Sequence, residues 1–456
     1  MKRRACVAAL LACVACHQLG ERHASVTTIR SCDYDVKLAA DGLAHVTATC
    51  DANGPIAFRL AHGFLANSVH SPFRHKALRF PSVDKRLTYV VDLARLGRHH
   101  RDFDRALHVG ASFFAPMSNV LLVPEPLTTE IPVKVHVTAD PPLAVSVGLT
   151  RDEAPDTYRL MAHEIPVATY FAFGKLQQRT LDIDGAKLEV SELDGALDQS
   201  FDDLNAWIQT SANAVRDFYR GFPVPRASLT LLPTPKRDSV LFGKVLPESE
   251  PGIALLLGQH APRKALYSDW ILVHELFHLG FPSFYEEGKW LDEGLATYYE
   301  PIIRVRAGLY TDQELWNELE SSMPQGLPAF TGGGLENAND FRGVYWGGAI
   351  ACLVADVEAR KRRLDSGLEV GLVALRDAGA NACEVWSLSE VIGAVDRALG
   401  APTLSPIAKA HAPHGSPFDL HALFVQLGVN RDASGAVQLS DSAPLAAVRR
   451  AITAHP

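Results

Sequence analysis

The stretch ILVHELFHLG, Ile271 to Gly280, places two histidines four positions apart with a glutamate directly after the first. On a helix, residues i and i+4 share one face, so the imidazoles of His274 and His278 can converge on a single ion. The other positions (Ile271, Leu272, Val273, Leu276, Phe277, Leu279) are apolar almost all round, which predicts an interior helix. Two imidazoles and a carboxylate are costly to bury without partners, and a metal offsets that cost. Ser268 or Asp269 can cap this helix, Trp270 opens it, and Gly280 with Pro282 stops it after about eleven residues.

A catalytic zinc takes three protein ligands and leaves a fourth position open to water. The segment KWLDEGLATYYE predicts a second helix over Lys289 to Glu300, and its Glu293 is the expected third ligand. Gly294 removes a side chain where two helices approach closely. Glu300 is the expected acceptor for a ligand histidine, with Thr297 as the weaker candidate for that role. Glu275, beside the first ligand, is expected to act as general base and then general acid in the hydrolysis of a peptide bond. The competing reading is a buried helix hairpin whose polar residues match the pattern by chance.

The pairing of HELFH with WLDEG resembles the gluzincin metallopeptidases, the M1 and M61 aminopeptidase families, in which an HExxH helix precedes a WLxEG helix. FRGVYWGGAIACLVADVEAR is similar to a later segment of that family, and the match implies that Tyr345 donates its phenol to the oxyanion of the tetrahedral intermediate. A buried tyrosine packed beside Trp346 is the alternative. The resemblance implies an edge strand upstream of HExxH that receives the substrate, here matched to PGIALLLG with Gly252, Ile253 and Ala254 as substrate-binding residues. Three departures accompany it. The spacing from His278 to Glu293 is shorter than is usual in M1 enzymes, and Gly347 stands where a basic residue is common. Ala254 stands where the family carries a glutamate for the substrate α-amine, leaving Glu248 or Glu250 as substitutes.

The elements that must position these residues belong to a chain of 456 residues, long enough for two or three domains. A hydrophobic share of 47% with 21% charged residues is that of a water-soluble globular body. With 44 basic against 52 acidic residues and no extended basic cluster, nothing favours a nucleic-acid partner. From 25 to 174 the segments are short and alternating (KVHVTADPPLAVSVGL), which predicts a β-sandwich-like domain. Its histidines, including His99 and His100, lack metal spacing. Residues 175–383 open with strands and turn helical at Phe201 to Arg220. Residues 384–456 form a small helical region with runs at Leu388–Leu399, Asp419–Leu427 and Ala443–Ile452. The expected class is therefore α+β and multidomain, with a catalytic part that the resemblance makes thermolysin-like and mostly helical.

Residues 1–24 read differently. Lys2, Arg3 and Arg4 precede small apolar residues, the pattern of an export leader, and Leu10-Leu11-Ala12-Cys13 resembles a lipobox that would acylate Cys13. Cys16 is a poorer candidate, and an ordinary signal peptide is the alternative. A cell-envelope location is thus expected, with membrane contact only through the lipid. The catalytic alternatives are an aminopeptidase-like enzyme and an envelope endopeptidase or amidase; the non-catalytic one is a binding lipoprotein. Among the remaining cysteines, Cys32 and Cys50 flank an Asp41-Gly42 turn that sets them opposite each other for a cross-strand disulfide. Cys352 and Cys383 form a second pair or remain thiols.

Overall fold

The computed structural model describes residues 27–72, 78–99, 102, 104–127, 130–246, 250–284 and 287–454. Cys13, Cys16 and the rest of the leader lie outside them, as does Glu248. The chain folds as α+β, with an N-terminal sheet-rich domain and a largely helical remainder.

Period-2 patterning builds the N-terminal domain. In the strand Ile29–Leu38, Cys32, Tyr34, Val36 and Leu38 point inward while the intervening residues are exposed. This strand pairs antiparallel with Leu43–Ala52 and parallel with Pro132–Ala139, inside a seven-stranded sheet. Cys32 lies opposite Cys50 and the two are joined by the expected disulfide. Cys352 is a buried thiol and Cys383 lies exposed, so the second pair is not formed.

A four-stranded sheet contains Ser112–Pro116 and Tyr170–Gly174, and both its faces are covered. Phe113, Ala115, Phe171 and Phe173 pack toward the seven-stranded sheet. The alternate residues Phe114, Tyr170 and Ala172 pack on Leu193, Leu232 and Ala254 of the next domain. One short stretch of alternation thus closes one core and docks two domains.

That next domain carries a five-stranded sheet in the order Leu176–Ile183, Ala186–Leu193, Arg226–Thr234, Gly252–Gly258, Val240–Leu246. The substrate strand expected at Gly252, Ile253 and Ala254 is corrected by this sheet. Val240–Leu246 adds antiparallel outside Gly252–Gly258 and is the true edge. Gly252, Ile253 and Ala254 are buried in an interior strand, and Ala254 belongs to the interdomain contact.

The helix Phe201–Tyr219, capped by Ser200, packs beside the histidine helix, and the Tyr219 hydroxyl donates to the Phe277 carbonyl at 3.1 Å. The histidine helix spans Ile271–His278, shorter than expected, with Asp269 Oδ2 accepting the Leu272 N–H at 2.9 Å. The glutamate helix runs on through Pro301 to Arg306, because the buried residues Ile302 and Ile303 extend its apolar face past the proline.

Two contacts fix the depth of the glutamate helix. A side chain at Gly294 would stand 2.5 Å from the Gly348 Cα, so only glycine lets this helix cross Gly348–Arg362 so closely. Further along, Tyr298 donates to Asp356 at 2.8 Å and Tyr299 to Glu369 at 3.2 Å. Arg360 bridges those two carboxylates, at 3.1 Å to Asp356 and 2.6 Å to Glu369. Each charge in this buried group has a partner, and removing one member would strand the others at a cost of about 3–5 kcal/mol.

Candidate metal centre

His274 Nε2 lies 3.2 Å from Glu293 Oε2, and His278 Nε2 lies 3.6 Å from the same oxygen. The candidate ligand atoms of these three residues all fall within 4.8 Å of one another. A tetrahedral ion with bonds of ~2.0–2.2 Å sets its ligand atoms ~3.3–3.6 Å apart, so the spacing suits zinc. His278 Nδ1 stands 2.8 Å from Asp292 Oδ1, and donating its proton there directs Nε2 at the Glu293 carboxylate. The gap between Nε2 and that carboxylate suits a positive charge, either a proton on Nε2 or a metal ion in its place. The donor set and spacing therefore fit the expected metal.

Asp292 is the orienting carboxylate that sequence reasoning missed. It occupies the variable position of WLxEG, and only the folded register shows that it reaches back to His278. The residues expected in that role act otherwise. Glu300, buried to 3% exposure, accepts from Arg304 at 2.8 Å, its i+4 neighbour on the same helix. Arg304 in turn donates to the Ser268 carbonyl at 2.9 Å, so the pair steadies the turn entering the histidine helix rather than an imidazole. Thr297 Oγ1 and His274 Nδ1 are both buried with no hydrogen-bond partner among the described residues. Thr297 is therefore not bonded to a ligand histidine in this structure.

The electrostatics separate the site's groups. Burial opposes the His278 cation, but Asp292 and Glu293 outweigh it and hold the imidazole well above its ordinary pKa. His274 is pushed down by burial, which Glu293 only partly offsets. Burial also opposes the Glu293 anion, yet the two histidines keep its carboxyl well below the usual range. Glu275 is raised by burial to about 7, where a carboxylate can both take and return a proton.

Glu275 lines a cavity of about 610 Å³ that also receives His274, His278, Glu293 and Tyr345. The edge strand roofs it. A side chain at Gly243 would stand 2.5 Å from Glu275 Cγ, so glycine there lets the strand lie directly over the carboxylate. Tyr345 comes from a π-helical turn, Arg342–Gly347, that leads into the helix Gly348–Arg362. Its ring stacks on His274 at 5.7 Å and 5°. Burial first, and the Glu293 charge second, raise its phenol pKa, keeping Tyr345 protonated as a donor. A Cβ at Gly347 would approach the Leu335 side chain to 2.9 Å, so a larger residue there would require Leu335 to shift.

At the far end of the cavity Lys244 Nζ sits 2.8 Å from both oxygens of Asp104, which the N-terminal domain contributes. Tyr170 donates to the same carboxylate at 3.2 Å. Glu250, expected as a substitute amine anchor, does not line the cavity and lies 4.0 Å from Arg226.

No protein-family profile and no curated protein matches the sequence. Solved structures do match its fold. An aminopeptidase N family protein from Idiomarina loihiensis aligns with a TM-score of 0.67 at 15% identity, over 90% of this chain and 82% of the other. An M1 zinc metallopeptidase from Deinococcus radiodurans aligns at 0.51 and 14%, over 86% and 96%. A two-domain M1 zinc metallopeptidase bound to L-arginine gives 0.54 and 13%, over 86% and 95%. The chain therefore has the fold of the M1 metallopeptidases.

Asp292→Ala is expected to weaken zinc retention by about 10–100-fold without unfolding the chain. Competition of the purified variant and parent against a graded chelator series measures it, and equal retention would mean that Asp292 does not orient His278 toward the metal.

Proposed function

We propose that this protein is a zinc-dependent metallopeptidase that hydrolyses peptide bonds. The observation that carries the reading is the convergence of His274, His278 and Glu293 on one point of a cavity that Glu275 and Tyr345 also line. When bound, zinc would lower the pKa of a water to about 7 and polarise the substrate carbonyl. Glu275 removes a proton from the attacking water as the carbon–oxygen bond forms. It then returns that proton to the amide nitrogen as the carbon–nitrogen bond breaks, giving one acid and one amine. Tyr345 donates its phenolic hydrogen to the oxygen that becomes negative in between. Asp292 keeps His278 in the tautomer that turns Nε2 inward.

The aminopeptidase-like form of this activity draws support from the fold neighbours that carry that name. A second reading, cleavage of internal or blocked peptide bonds in the cell envelope, is favoured by the Lys244–Asp104 pair. A free α-ammonium needs an acceptor, and Asp104 is already neutralised by Lys244 while Asp292 is held by His278. The basic leader and Leu10-Leu11-Ala12-Cys13 support export and anchoring through Cys13, with peptides or proteins of the envelope as substrates and no nucleic-acid partner.

Three measurements test these proposals. Glu275→Gln should lower kcat on a quenched peptide by about 10²–10⁴-fold, and Tyr345→Phe by about 10²–10³-fold, each with zinc content unchanged. A folded parent that binds no zinc would sink the catalytic reading. Matched peptides with free and acetylated N-termini should be cleaved at comparable rates if the second reading holds, whereas loss of cleavage on acetylation would favour the aminopeptidase. Labelled palmitate supplied to cells should enter the parent protein and not Cys13→Ser; labelling of both would move the anchor elsewhere.

A further inference from the structure

Among the described residues, three large aromatic side chains remain substantially exposed: Phe242 at 46%, Trp270 at 42% and Phe341 at 52%. All three line the cavity that holds the metal centre. Exposed apolar residues scattered singly need no explanation, but convergence of these three aromatics on one cleft is the mark of a surface that a ligand covers.

Their attachment to the site is direct. Trp270 meets the His274 ring edge-on at 5.4 Å, and His274 stacks on Tyr345. Tyr345 in turn packs against Phe341 with centroids 4.4 Å apart. Trp270 and Phe341 are thus the two ends of one aromatic row that passes over a metal ligand and the oxyanion donor. Phe242 lies on the edge strand, next to the glycine that rests on Glu275. A carbonyl held among His274, Glu275 and Tyr345 therefore lies in a cavity that all three aromatics line.

Polar alternatives at these walls are limited. Asp104 and Lys244 satisfy each other, and Asp292 is engaged by His278. Lys289 also lines the cavity, so acidic side chains are the competing class.

We infer that the cleft selects peptides with bulky apolar side chains, aromatic ones foremost, on the residues flanking the scissile bond. This rests on the peptidase reading above and specifies its substrate class.

The test uses the zinc-loaded Glu275→Gln chain, which holds peptides without turning them over, and calorimetric binding of doubly blocked tetrapeptides that differ only in their two central residues. Phe-Phe and Leu-Leu peptides should bind about tenfold or more tightly than Gly-Gly, Asp-Asp or Lys-Lys peptides. Adding Phe341→Ala or Trp270→Ala should erase most of that preference while the affinity for Gly-Gly changes less than about twofold and zinc content is unchanged. Uniform affinity across the set, no measurable affinity for any member, or tightest binding of Asp-Asp or Lys-Lys would overturn the inference. So would truncations that weaken all peptides alike. A parent chain that cleaves nothing would instead count against the peptidase reading, because the binding series reads the preference without turnover.

Discussion

The structure turns on bringing two imidazoles and a carboxylate together inside apolar surroundings. Each of these groups loses hydration on folding, and the arrangement persists only because charge complementarity replaces what water supplied. The rest of the domain can be understood as the apparatus of that replacement. Asp292 holds one imidazole, Glu300 and Arg304 hold the turn ahead of His274, and the Trp290 indole donates to Glu336 at 2.6 Å to seat the start of the glutamate helix. The paired group around Arg360 anchors the same helix further along. The polar interactions buried around these helices thus bear on where Glu293 comes to rest.

Much of the centre was legible in the sequence because its signals are local. The i, i+4 spacing of His274 and His278 has one structural meaning on a helix, and Glu293 is the acidic residue beside a glycine on the next one. The Asp41-Gly42 turn fixed the register that joins Cys32 to Cys50 for the same reason. What could not be read depends on long-range placement. Asp292 and Glu300 are both acidic residues on the right helix, and which of them reaches a histidine is decided by the angle between two helices. The edge strand was misplaced because the resemblance matched it to PGIALLLG by its place upstream of HELFH, although so apolar a stretch has the pattern of an interior strand. The true edge, Val240–Leu246, carries Gly243 and Lys244, a glycine and a charge that weaken its strand pattern while fitting it to a roof and a rim. Glutamate helix length was underread because Pro301 looks like a terminator, and tertiary packing overrode it.

The N-terminal domain has a share in the site that its sequence did not announce. Tyr170 and Phe114 dock it on the back of the catalytic sheet, and that docking carries Asp104 to the cavity. The cleft is therefore composite, lined by the helices and the edge strand, with Asp104 as the N-terminal domain's contribution among the described residues.

The bare contact between Gly294 and Gly348 has a wider meaning. Gly294 follows Glu293, and Gly348 begins the helix that continues from the turn bearing Tyr345, so close backbone contact there helps join the two parts of the candidate site. At that crossing no side chain separates them. A side chain at either glycine would push Glu293 and Tyr345 apart. The strand and aromatic rim around that crossing carry no such constraint, so the mouth of the cleft can differ while its centre keeps one spacing.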